Sequence, residues 1–118
     1  MKPYVDILGT RFKIEFRDAT KDEYMKKEHI DGYCSEESNI IVIADLKILY
    51  PDSTEVERVN YLKHLLRHEV LHAFLFCSGL TDCAHRYEGA WAKNEEMVDW
   101  FAVQFPKILE AYKWLEIV

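Results

Sequence analysis

Apolar and polar residues alternate near the start of the chain, with Val5 and Ile7, then Phe12, Ile14 and Phe16, on either side of Gly9-Thr10. A period of two broken by a turn signal predicts a β-hairpin with one apolar face. The stretch "DATKDEYMKKEH" carries no apolar stripe wide enough for a core element, so a short exposed helix or a loop is expected there. "SNIIVIAD" is β-branched and of strand length, and predicts a third strand. Beyond "YPDST" the period becomes helical. Thr54 and Glu57 form a capping-box signature, Glu55 sits near the positive end of the helix dipole, and Gly79 is a natural C-cap. Val56, Val59, Leu62, Leu66, Val70 and Ala73 recur at three- and four-residue steps along this helix, beside a second stripe of Tyr61, Leu65, His68 and His72. A later helical stretch, "WAKNEEMVDWFAVQFPKILEAYKWLEI", keeps Val98, Phe101, Phe105, Ile108, Tyr112 and Leu115 in phase. Pro106 is expected to kink or divide it.

Length makes the picture simpler. The chain has 118 residues, enough for one domain with its own core, taken here as 1–118. Its longest apolar runs, such as "IIVIA" and "AFLF", are too short to cross a bilayer, and the first residues lack a signal-peptide core. A cytoplasmic protein without a membrane partner is expected. A formal charge of −6 supplies no basic stripe for phosphates, which argues against a nucleic-acid partner. Cys34, Cys77 and Cys83 are odd in number and lack a Cys-x-x-Cys pairing, so reduced thiols are expected rather than a disulfide scaffold or a zinc ribbon.

Within the first long helix, "RHEVLH" places His68 and His72 four residues apart, with Glu69 after the first. Residues four apart share a helix face, so both imidazoles can converge on one ion. Glu69 lies one step round the helix and is suited to accept a proton from an attacking water, the task of a general base in hydrolysis. A solvated histidine pair is the competing reading, and His64 illustrates it. His64 extends the series, but positions eight apart on a helix are separated by about 12 Å, so His64, His68 and His72 cannot share one ion.

A catalytic zinc site needs a third protein ligand and an open fourth position. "NEEMVDWFA" offers Glu95, with Glu96 as its competitor about 100° round the helix. Asp99, four residues after Glu95, is placed to accept the free N–H of a ligating histidine. One zinc ion per chain is expected from this set.

These residues resemble the gluzincin metallopeptidases. "HEVLH" matches their H-E-x-x-H helix, and "NEEMVD" is similar to the N-E-x-x-x-D of the thermolysin type. "EEMVDWFA" also resembles the E-x-x-A-N-x-F-A element of the small ImmA/IrrE-like peptidases, departing from it at Val98 and Asp99. The overall size looks like the compact zincin domains of phages and prophages. The resemblance covers about a third of the chain and implies His68, His72 and Glu95 as ligands, Glu69 as base and Asp99 behind a ligand. It further implies that His85 or Tyr87, just before Glu95, stabilises the oxyanion of the reaction.

An α+β fold follows from that likeness: a minimal zincin-like domain with a small mixed or antiparallel sheet of about three to four strands, packed on the histidine helix and followed by a C-terminal helix bearing the third ligand. The likeness also implies that "NIIVIAD" is an edge strand binding an extended peptide or protein substrate by β-augmentation. The expected function is a zinc-dependent peptidase, of the regulatory kind that phages and prophages carry. Two alternatives stand beside it: a non-catalytic module that zinc only stabilises, and a zinc hydrolase acting on RNA.

Overall fold

The structure is a computed structural model describing residues 1–81, 89 and 94–118, except the side chains of Val98 and Ala102. Strand β1 (Tyr4–Ile7) and strand β2 (Thr10–Arg17) pair antiparallel. Leu8 and Gly9 form the two-residue connection with φ of 50° and 90°, the primed kind of turn whose twist matches a hairpin. The turn therefore falls one residue earlier than Gly9-Thr10. Val5, Ile7, Phe12 and Ile14 are buried as their alternation predicts, while Phe16 stays exposed.

The charged stretch folds as helix α1 (Glu23–Glu28), with Asp22 as its N-cap and Met25 turned into the core. Strand β3 (Gly32–Ser35) follows, then strand β4 (Ile40–Ala44) and a one-turn helix α2 (Leu46–Leu49). The sheet order is β1-β2-β4-β3, with β4 parallel to β2 and antiparallel to β3. The molecule is thus an α+β fold with a four-stranded mixed sheet.

The position of β4 corrects the expectation of an edge strand at "NIIVIAD". It is hydrogen-bonded on both sides, and four consecutive residues, Ile41 to Ala44, are almost wholly buried. Successive strand side chains face opposite ways, so burial of every one means that both faces of β4 are covered. β3 is the strand at that edge instead. Its four residues lack an apolar run, and pairing with β4 rather than local propensity makes them a strand.

Helix α3 (Glu55–Cys77) starts with the capping box: Glu57 N–H donates to Thr54 Oγ1 at 3.1 Å, and Glu57 Oε2 accepts from Thr54 N–H at 2.7 Å. It ends at Ser78, with Gly79 at φ 81°. α3 packs on β1, β3 and β4 through Leu66, Val70, Ala73 and Phe74, all at the centre of the core. Truncating Leu66 to Ala would cost about 2–5 kcal/mol, because the site cannot fully collapse. Val56 and Val59, on the same predicted stripe, are exposed.

Helix α4 (Glu95–Trp114) is continuous through Pro106 rather than divided there. Ile108, Ala111 and Leu115 carry its burial, whereas Phe105, in phase with them by sequence, is exposed. Two bonds set α4 antiparallel to α3: Trp100 Nε1 donates to Ser78 Oγ at 3.1 Å, and Tyr112 OH donates to the Arg67 carbonyl at 2.9 Å. The chain end is fastened too, with Ile117 buried and its carbonyl accepting from Arg67 Nη1 at 2.7 Å. No helix among the described residues is long and apolar enough to cross a membrane.

Candidate functional site

His68 and His72 lie on successive turns of α3, on its exposed side. Their rings meet nearly edge to face, with the two Nε2 atoms 3.0 Å apart. An ideal tetrahedral zinc with two nitrogens at 2.0–2.1 Å would hold them about 3.3 Å apart, so this pair is close to the bite such an ion requires. His68 has its pKa lowered, first by partial burial and then by the neighbouring imidazoles of His72 and His64, which keeps it in the neutral form a metal ligand needs.

Glu69 lies in the seam between α3 and β3. It is 5% exposed and is the only buried charged residue among the described residues. A Cβ at Gly32 would sit 3.6 Å from Glu69 Oε1, so the carboxyl lies over the start of the edge strand. Burial, with a smaller contribution from Glu36, pushes its pKa up to about 7. No hydrogen bond to its carboxyl is present among the described residues. A carboxyl divided between its two protonation states near neutral pH can both take and give a proton.

The proposed third donor stands apart from this pair. Glu95 is the first residue of α4 and is exposed, as are Glu96 and Asp99. Among the described residues no three His, Cys, Asp or Glu side chains gather as a metal group, so the structure brings His68 and His72 together without Glu95. The helix register gives the reason. Trp100 is level with Ser78, and Glu95 lies about 7 Å beyond that level along α4 while His72 lies about 9 Å short of it along α3. His85, Tyr87 and Cys83 lie outside the described residues. Cys34 and Cys77 are free, and burial pushes the Cys34 thiol up to about 12, which makes it a poor nucleophile.

Asp31 and Tyr50, which the sequence reading did not single out, come close to His68 and Glu69. A cleft of about 390 Å³ opens beside Glu69 and His68, bounded by Asp31, Tyr50, Tyr61 and His64. His64 is exposed and stacked on Tyr61, with ring centroids 6.2 Å apart, and is not a third member of the imidazole pair. Tyr61 shares the helix stripe of Leu65, His68 and His72, and that periodicity was the available signal. Asp31 and Tyr50 reach the cleft only through tertiary folding. Compared with protein-family models, curated proteins and solved structures, the chain finds no match.

Proposed function

We propose that the chain is a zinc-dependent peptidase, with His68 and His72 as two ligands, Glu95 as the third and Glu69 as general base. The observation that carries this reading is the pairing of two facing imidazoles, 3.0 Å apart, with a buried carboxyl on the same turn whose pKa is raised to about 7. The donor pair fits zinc in type and in separation. Zinc bound there would supply Lewis acidity and bring the pKa of a water it holds to about 7. Glu69 would accept a proton from the attacking water and return it to the departing amine. Glu95 completes the set only if α4 moves by about 16 Å along α3, and Asp99, one turn later, would then orient a ligating imidazole.

The edge at β3 supports a peptide as the substrate. Among the described residues β3 has a neighbour on one side only, and Glu69 lies over its first residue, so an extended peptide pairing there would run past the carboxyl. The −6 charge supports neither RNA nor DNA as substrate. Among the described residues the free thiols of Cys34 and Cys77 are consistent with a cytoplasmic setting, and a regulatory peptidase of phage or prophage type is the biological role this reading favours.

The test is elemental analysis of protein purified without added metal, together with hydrolysis of a peptide mixture. About one zinc per chain is expected in the wild type and none in His68→Ala or His72→Ala. Glu69→Gln should keep its zinc and lose hydrolysis. Unchanged zinc in both histidine variants would sink the metal assignment, and equal activity in the Gln variant would favour the non-catalytic module.

A further inference from the structure

The cleft beside Glu69 has a chemistry that the hydrolytic step does not use. Asp31 is fixed at the start of β3, where its carbonyl accepts from Ala44 N–H at 2.8 Å. Its carboxylate receives two phenols on one oxygen: Tyr50 OH donates to Oδ2 at 2.6 Å and Tyr61 OH at 2.8 Å. Oδ1 has no partner among the described residues. Both phenol protons are directed at Asp31, so the tyrosine oxygens offer only lone pairs to anything else entering the cleft. The rings are held as well, Tyr50 edge-on to Tyr61 at 6.0 Å and Tyr61 stacked on His64.

A pocket with one unshared carboxylate oxygen, two fixed aromatic rings and phenol acceptors, on a chain of charge −6, is complementary to a cation. Among the described residues no Lys or Arg forms an ion pair with Asp31 or Glu69, so none of them supplies a cation there. The cleft also contains His68 and Glu69, so a side chain seated in it belongs to the same ligand that passes the candidate catalytic groups.

We propose that this cleft is a specificity pocket for a Lys or Arg side chain of the peptide substrate, with the cation against Asp31 and beside the rings of Tyr50 and Tyr61. The assignment rests on the peptidase reading for the word substrate, but not for the binding chemistry. The experiment separates the two. The full chain, stripped of metal, is titrated with Nα-acetyl-arginine amide and with the uncharged Nα-acetyl-norleucine amide, while backbone amide shifts are followed by NMR. The arginine probe should shift residues 29–32, Tyr50, Tyr61 and His64 saturably, and the norleucine probe should not. Asp31→Asn, which can still accept both phenols, should weaken the arginine probe on the order of tenfold. Tyr61→Leu, which keeps the carboxylate, should weaken it about threefold.

No shift in the cleft, or an arginine affinity unchanged by Asp31→Asn, overturns the pocket. A proteome-derived peptide library digested by the wild type supplies the second readout. Cleavage with Lys or Arg at one fixed position, lost in Asp31→Asn, supports the pocket. Cleavage without that preference overturns it and leaves the peptidase reading standing. Selective arginine binding with no cleavage of any peptide supports the pocket and removes the peptidase reading.

Discussion

Asp22 and Glu69 are carboxylates that meet the same short strand, yet folding treats them in opposite ways. Asp22, its side chain 8% exposed, touches β3 through Tyr33, and Glu69, 5% exposed, lies over Gly32. Adjacent strand residues face opposite sides, so the two acids lie on opposite sides of the sheet. Asp22 is fully supplied with donors: Met25 N–H at 2.9 Å, Arg17 Nη1 at 3.1 Å and Tyr33 OH at 3.3 Å. Arg17 is itself held by Glu15 Oε2 at 2.6 Å. The capping bond from Met25, then Arg17 and Tyr33, lower the pKa of Asp22 and keep it ionised. Among the described residues Glu69 has no such set, and burial drives its pKa up instead. Glu69 is the more deeply buried of the two, and the donor inventory separates them further. A buried acid whose ionised form is fully hydrogen-bonded is a structural joint, whereas one left without a cation is a candidate for proton transfer.

Substitutions on the two sides should part accordingly, and the largest effect is expected at Glu69. Glu69→Gln preserves the shape of the side chain but removes its basicity, so hydrolysis of a cleaved peptide should fall by at least about 10²–10⁴-fold with zinc content unchanged. Turnover of the zinc-loaded variant measures it. If the Gln variant retained wild-type turnover, the contrast with Asp22 would lose its functional meaning.

Zinc affinity comes next. Glu95→Ala should weaken it by orders of magnitude, Asp99→Ala by about 10–100-fold, and Glu96→Ala little. Chelator competition on the three variants decides this. A large loss in Glu96→Ala with normal binding in Glu95→Ala would mean that α4 presents its other side to α3.

Stability against pH should differ in sign between the two acids. In metal-free protein Glu69 has a folded pKa near 7 and an unfolded value near 4.5, so the folded state binds the extra proton between them. Stability should therefore fall as pH rises through that window, by roughly 3 kcal/mol if the whole shift is expressed, and Glu69→Gln should flatten the fall. Asp22 works the other way. Its lowered pKa gives a contribution that is complete above its unfolded value of 3.8 and is lost as pH falls below it. Denaturant titrations of the metal-free proteins across pH give both slopes. Asp22→Ala, which removes the cap of α1, is the smallest of these effects at about 0.5–2 kcal/mol near neutral pH.

The difference in how readable these regions are from sequence has the same physical origin. Helix α3 announced itself through Thr54, Glu57, its apolar stripe and Gly79, because capping and periodicity are local. The hairpin was likewise legible, since Val5, Ile7, Phe12 and Ile14 alternate over contiguous residues. That His68 and His72 face each other was legible for the same reason, since they lie four residues apart on one helix. β3 was not foreseen, because "GYCS" becomes a strand only by pairing with β4, and its arrival moved the sheet edge away from "NIIVIAD". Phe105 and Val56 kept their phase and still ended exposed, since periodicity says which face is apolar but not how far the partner surface extends. Asp31, Tyr50 and Tyr61 come from three different segments, and no spacing rule links them.

The central claim is that His68 and His72 hold zinc through nitrogen, with a carboxylate beside them. X-ray absorption at the zinc edge, on protein carrying one equivalent of zinc, tests it most directly. The account predicts a shell of nitrogen and oxygen at about 2.0–2.1 Å with the outer-shell signature of two imidazoles, reduced to one or lost in His72→Ala. A sulfur shell at about 2.3 Å, or a spectrum unchanged in His72→Ala, would contradict it.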